Sequence, residues 1–113
     1  MTLQDMRNNK PTEEWRESLE EGDELFTEES ITESERALDD FIDGLIALKD
    51  DKNEDKIMEL VAKVVSEFNT LNDKYDYYIE TLEREDLCDF IMEAAQTAGL
   101  ETDEDITEEW REW

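Results

Sequence analysis

The sequence predicts an all-α protein: an antiparallel bundle of about four main helices with short terminal helical arms. Three observations carry that expectation. Ile57, Leu60, Val61, Val64, Val65, Phe68, Leu71, Tyr75 and Tyr78 recur at steps of three and four, the signature of one helix with one continuous apolar stripe. The sets Leu38, Phe41, Ile42, Leu45, Ile46 and Leu87, Phe90, Ile91, Ala94, Ala95, Ala98 repeat the pattern on either side of it. Residues 49–55 between the first two runs contain no apolar side chain, and so short a link makes the helices it joins antiparallel neighbours.

In chain order, residues 1–10 are mixed and polar and read as a loose lead-in, after which Pro11 suits the first turn of a helix. Trp15, Leu19 and Phe26 then give a sparse apolar edge among acids, with Gly22 a weak point, so a short or broken helix must gain its stability by docking on something larger. Ser30 with Glu33, or Thr32 with Glu35, matches a capping box and places the start of the second helix. Gly44 lies off its apolar stripe, at a cost of about 1 kcal/mol against alanine.

The 57–78 stripe follows as the central helix, roughly 33 Å long, along which everything else is expected to pack. Thr81 is the expected N-cap of the next helix, with Glu83 and Glu85 near the positive end of its dipole. Gly99 closes that helix as a C′ residue and lets Leu100 fold back. The competing reading is one unbroken helix from Asn53 to Ala98, since no Gly or Pro lies between Gly44 and Gly99. The acidic arm 101–113 carries Ile106, Trp110 and Trp113, which suggests a short terminal helix capped by Thr107. Residues 12–17, Thr-Glu-Glu-Trp-Arg-Glu, return unchanged at 107–112, as two helical starts that each pin one tryptophan would require.

At 113 residues the chain has room for one core, and the expectation is a single domain. Thirty-six acids against eleven bases give a net charge of −25. Such a surface repels nucleic acid and anionic lipid, so direct binding of either is not expected, and it attracts basic proteins at long range. One cysteine, Cys88, cannot form an internal disulfide, no apolar run reaches the roughly 18 residues of a membrane span, and the N-terminus lacks the basic and apolar regions of a signal peptide. The cytoplasm is the expected compartment.

The absence of histidine removes the usual base of serine and cysteine nucleophiles and the commonest transition-metal ligand. Three glycines build no phosphate cradle. Residues 51–55 open like a calcium loop, but Lys56 stands where glycine is required and Ala62 where the closing Glu belongs. No enzyme, cofactor or metal site is therefore expected. Cys88, beside Asp86 and Asp89, reads as a half-buried structural thiol.

What remains is binding. The expectation is a non-enzymatic acidic protein that inhibits or sequesters a basic protein partner, in the manner of an immunity protein or a DNA mimic, with candidate contacts at Glu33, Asp40, Asp43, Tyr77, Trp110 and Trp113. The alternative is a helical adaptor whose acidity serves solubility. Ala62, Ser66 and Thr70, small and uncharged opposite the central stripe, would then form a self-association face for a homodimer.

Overall fold

Where a stripe of apolar residues meets capping side chains, the chain forms a helix, and the computed structural model shows five: α1 Leu3–Arg7, α2 Thr12–Glu20, α3 Glu28–Ala47, α4 Glu54–Lys74 and α5 Thr81–Ala98. Residues 2–22, 26–48, 53–75, 77–101 and 106–113 are described, and there is no strand among them. Most of the 49–55 link expected from the sequence, residues 49–52, lies outside the described residues. The all-α bundle is as expected, with α2 to α5 as its main helices. No helix among the described residues is long and apolar enough to cross a membrane.

The hub is α3, which corrects the expectation that everything packs along residues 57–78. Among the described helices, α3 touches α1, α2, α4 and α5, whereas α4 touches α3 and α5. The cause lies in its small side chains. Ser30, Ser34 and Ala37 are buried beside Ile31, Leu38, Phe41, Ile42 and Leu45, so the covered arc is wider than its apolar stripe. Ile46, expected in that stripe, lies exposed on its flank. α3 also begins a turn earlier than either expected capping box. Thr27 is its N-cap and accepts from the Ser30 N–H at 3.0 Å, while the Ser30 hydroxyl accepts from the Thr27 N–H at 3.0 Å.

α3 and α4 run antiparallel, as their pairings show. Gly44, late in α3, faces Leu60, early in α4, while Glu33 near the start of α3 meets Tyr75 at the end of α4. A Cβ at Gly44 would stand 2.7 Å from Leu60 Cδ2, so this glycine sits in the helix contact and not off it. The expected loose lead-in is also corrected. Thr2 and Asp5 form a reciprocal capping box, Met6 is buried, and Arg7 donates to Asp43 at 2.9 Å, which ties α1 to α3. Five residues with two apolar members are too few to show a period.

The unbroken helix from Asn53 to Ala98 does not form. α4 stops at Lys74, and Tyr77 takes a left-handed φ of 59° that no α-helix continues through. Tyr78, expected on the α4 stripe, comes instead from the connector and is fully buried. There it meets Trp15 and Phe26 edge-on at 6.2 and 6.4 Å, while those two rings stack at 5.6 Å. The N-cap of α5 is Glu80 and not Thr81, with the Glu83 carboxylate accepting from the Glu80 N–H at 3.1 Å. Gly99, at φ 119°, closes α5 as expected, and the Leu100 N–H donates to the Ala95 carbonyl at 3.0 Å.

The expected terminal helix is a single turn. The Thr107 carbonyl accepts from Trp110 and Arg111, and the chain then runs on without helix. The repeated hexapeptide thus begins a helix in one place and a turn in the other, with Thr12 and Thr107 both fully buried.

The titration of this fold has a definite sign. Burial raises the carboxyls of Glu67 and Glu83 above the ordinary range, for Glu67 against Lys63 and with help from Asp40, so each is strained by ionising in the folded state. The Tyr75 hydroxyl holds Glu33 low, against desolvation and with Lys74 assisting, and the Thr2 backbone N–H, then its side chain, holds Asp5 low. As pH falls from 7, Glu67 and Glu83 add stability, and overall self-repulsion eases. Below about pH 4, the unfolded carboxylate range, Glu33 and Asp5 remove it. The melting temperature is expected to peak near about pH 5, and a scan that falls steadily from pH 7 to 5 would contradict this reading.

Candidate partner-binding cleft

Two asparagines sit three residues apart on α4 and therefore share a face. Asparagine is a poor interior helix residue because its amide competes for backbone groups. Both amides here bond to backbone outside the helix. Asn69 donates to the Trp110 carbonyl at 2.8 Å and accepts from the Glu112 N–H at 2.9 Å, pinning the C-terminal segment. Asn72, buried, accepts from the Ile79 N–H at 2.9 Å through its side chain and from the Tyr77 N–H at 2.7 Å through its carbonyl, pinning the α4–α5 connector.

Between the two clamps lies an open cleft of about 390 Å³ lined by Asn69, Thr70, Asn72, Asp73, Tyr77 and Glu112. Tyr77 is 66% exposed, and its hydroxyl donates to Asp73 at 3.2 Å. Among the described residues the lining therefore offers two carboxylates, one aromatic ring and no basic residue. Ion pairs among the described residues engage Asp39, Asp43, Glu28, Glu35 and Glu33, and none engages Asp73 or Glu112. Such a lining suits a cation.

The chain matches no protein-family model. Comparison with curated proteins and with solved structures likewise gave no significant match.

The structure scatters the other residues that the sequence singled out. Glu33 is half-buried and bonded by the Tyr75 hydroxyl at 2.7 Å and by Lys74 at 3.4 Å, and it faces a neighbouring groove that also contains Arg36, Glu67, Thr70 and Leu71. Asp43, ten residues along the same helix, is held by Arg7. Asp40 is exposed between them. These three acids line α3 over about 15 Å and do not converge with Tyr77. Trp110 and Trp113 are half-buried against the core, with Trp113 edge-on to Phe68 at 6.4 Å and Arg111 over its ring at 5.6 Å. That packing agrees with the expectation that each repeat pins a tryptophan, and it leaves Trp110 and Trp113 only partly open to a partner. Trp15 at the other end is buried and donates to Asp86 at 3.3 Å.

Of the small-residue face, Ala62 is half-buried while Ser66 and Thr70 are exposed. Thr70 alone reaches the cleft, so the structure joins Thr70 and Tyr77, which the sequence had assigned to different roles. Cys88 is half-buried and takes a contact from Arg111 Nη1 at 2.8 Å and one with Thr107 Oγ1 at 3.4 Å, tying α5 to the C-terminal turn. Residues 51 and 52 of the calcium-like segment lie outside the described residues. Its Asn53 is the N-cap of α4, accepting from the Asp55 N–H at 2.9 Å. Among the described residues no three or more Asp, Glu or Cys side chains are gathered so as to hold a metal ion.

Asn69 and Asn72 were not singled out from the sequence. A signal was there: Asn72 stands four residues after Phe68, where the buried stripe of Ile57, Val61, Val65 and Phe68 asks for an apolar residue.

Proposed function

We propose that this is a non-enzymatic acidic interaction protein that binds a basic protein partner and thereby inhibits or sequesters it. The observation that carries the reading is the cleft beside Tyr77, lined by an exposed aromatic ring and by two carboxylates that form no ion pair among the described residues. The surrounding charge of −25 would steer a basic partner toward it at long range. Exposed aromatic rings are the side chains that most often anchor an interface once steering has brought the partners together. The same charge argues against a homodimer through Ala62, Ser66 and Thr70, because a second copy brings an equal negative coat to a face flanked by Glu59 and Glu67. A cytoplasmic setting accords with this reading.

The test is capture on the immobilised chain at about 50 mM and about 500 mM salt, where screening lengths differ severalfold. The expected catch is basic, is released by salt, and is lost from the doubly reversed variant Asp73→Lys, Glu112→Lys while Asp40→Lys keeps it. A neutral or acidic catch that survives high salt, or one indifferent to the cleft reversals, would contradict the reading.

A further inference from the structure

Resting on the reading of a basic partner, we infer that the cleft receives the guanidinium of one arginine from that partner. The ring of Tyr77 is the face against which the guanidinium lies, and the carboxylates of Asp73 and Glu112 are its acceptors. Three features of the cleft converge on that ligand.

The first is the lining. Guanidinium is planar, weakly hydrated and always charged, so it stacks on an aromatic face while its edge donates to carboxylates. Lysine offers a compact, strongly hydrated point charge that uses a ring less well. Thr70 Oγ1 donates to the Ser66 carbonyl at 3.3 Å, and the Asn69 amide bonds the C-terminal segment. The carboxylates are the charged acceptors of the cleft, and bonds from a guanidinium to those are the strong ones. Asp73 spends one contact on the Tyr77 hydroxyl, which sets carboxylate and ring side by side.

The second is the backbone of Tyr77. A tyrosine at φ 59° occupies a region that bulky L-residues avoid, and glycine would fill it without strain. An aromatic ring there is two-thirds exposed, so it repays the strain with little burial. Conformations of this kind persist where a side chain has to be presented in a set direction.

The third is the rigidity of the walls. The connector is held by the buried Asn72 and the C-terminal segment by the half-buried Asn69, both from α4. A cleft fixed before binding loses little freedom on binding.

The experiment is a titration of the ¹⁵N-labelled full chain with N-acetyl-arginine amide, N-acetyl-lysine amide and N-acetyl-citrulline amide, followed by amide chemical shifts. Arginine is expected to give saturable shifts at residues 69–79 and at Glu112. Lysine should bind at least about fivefold more weakly, and citrulline, which has the shape without the charge, should leave those amides in place. Tyr77→Gly should raise the melting temperature by a few degrees and weaken arginine binding about tenfold. Tyr77→Phe, which keeps the ring, should retain binding and shows that loss in the glycine variant is loss of the aromatic face. Shifts that spread over the acidic surface without saturating, equal binding of lysine, or full binding by Tyr77→Gly would each overturn the assignment. The probe needs no partner, so the two readings fail separately. Loss of arginine binding with salt-sensitive capture intact refutes the subsite alone, and saturable arginine binding with no basic catch refutes the inhibitory role alone.

Discussion

Tyr78→Ala is expected to remove about 3–5 kcal/mol of folding stability, the range for truncating a fully buried aromatic side chain. That is a large share of the roughly 5–15 kcal/mol typical of a whole domain. The ring is completely inaccessible and meets Trp15, Phe26 and Tyr75, so its loss opens a hole where α2, α3 and the α4–α5 connector come together. Its hydroxyl lies 2.6 Å from Ser34 Oγ, and Ser34 in turn donates to the Ser30 carbonyl at 2.6 Å. The serine proton is thus committed to Ser30, which makes the tyrosine the donor to Ser34. Burial pushes the phenol well above its ordinary range, so it stays protonated throughout the neutral range. Tyr78→Phe isolates the hydrogen bond and should cost only about 1 kcal/mol. Chemical denaturation reads both, and an alanine variant no weaker than the phenylalanine variant would contradict the packing described.

Asn72→Ala is expected to cost about 2 kcal/mol, because it leaves the buried Ile79 N–H without an acceptor. The second consequence is local. The connector should loosen, with faster amide exchange at Ile79 and less change at Tyr77, whose N–H is held by the main-chain carbonyl of Asn72 that the variant keeps. Asn72→Leu separates the two effects. It restores an apolar side chain to the stripe and should recover part of the stability, while exchange at Ile79 stays fast. If Ile79 exchanges at the same rate in wild type and both variants, the asparagine is not the clamp.

How much of this was legible in the sequence follows from what each signal measures. The main helices were readable because Leu38, Phe41, Ile42 and Leu45, or Leu87, Phe90 and Ile91, recur with helical period and are buried accordingly. Gly99 was readable because its left-handed role has a residue type of its own. Tyr78 misled: it stands three residues after Tyr75 and so extends the period of α4, although the chain has already left the helix. Helix α1 was too short to show a period. The Thr27–Ser30 cap was passed over because the familiar box ends in Glu or Gln, and two stronger matches stood just downstream. Ser30, Ser34 and Ala37 gave no hydropathy signal, yet they make α3 the hub by letting neighbours approach on two sides.

Of the candidate site, the sequence marked Tyr77 and Thr70 and could not join them, since the cleft depends on amide bonds to backbone far along the chain. Asn69 reaches Trp110 and Glu112 across about forty residues, a relation that no local pattern carries. Glu33 and Asp43 looked like a free acidic face because their partners, Tyr75 and Arg7, come from other helices.

The measurement that bears most directly on the whole account is the association rate with the captured basic partner as a function of ionic strength, for wild type and Tyr77→Gly. The wild-type rate is expected to fall at least about tenfold between about 20 and 300 mM salt, as steered encounters do. The variant should keep that steep association and gain a faster dissociation. An association rate that does not change with salt, or a dissociation rate indifferent to Tyr77, would contradict it.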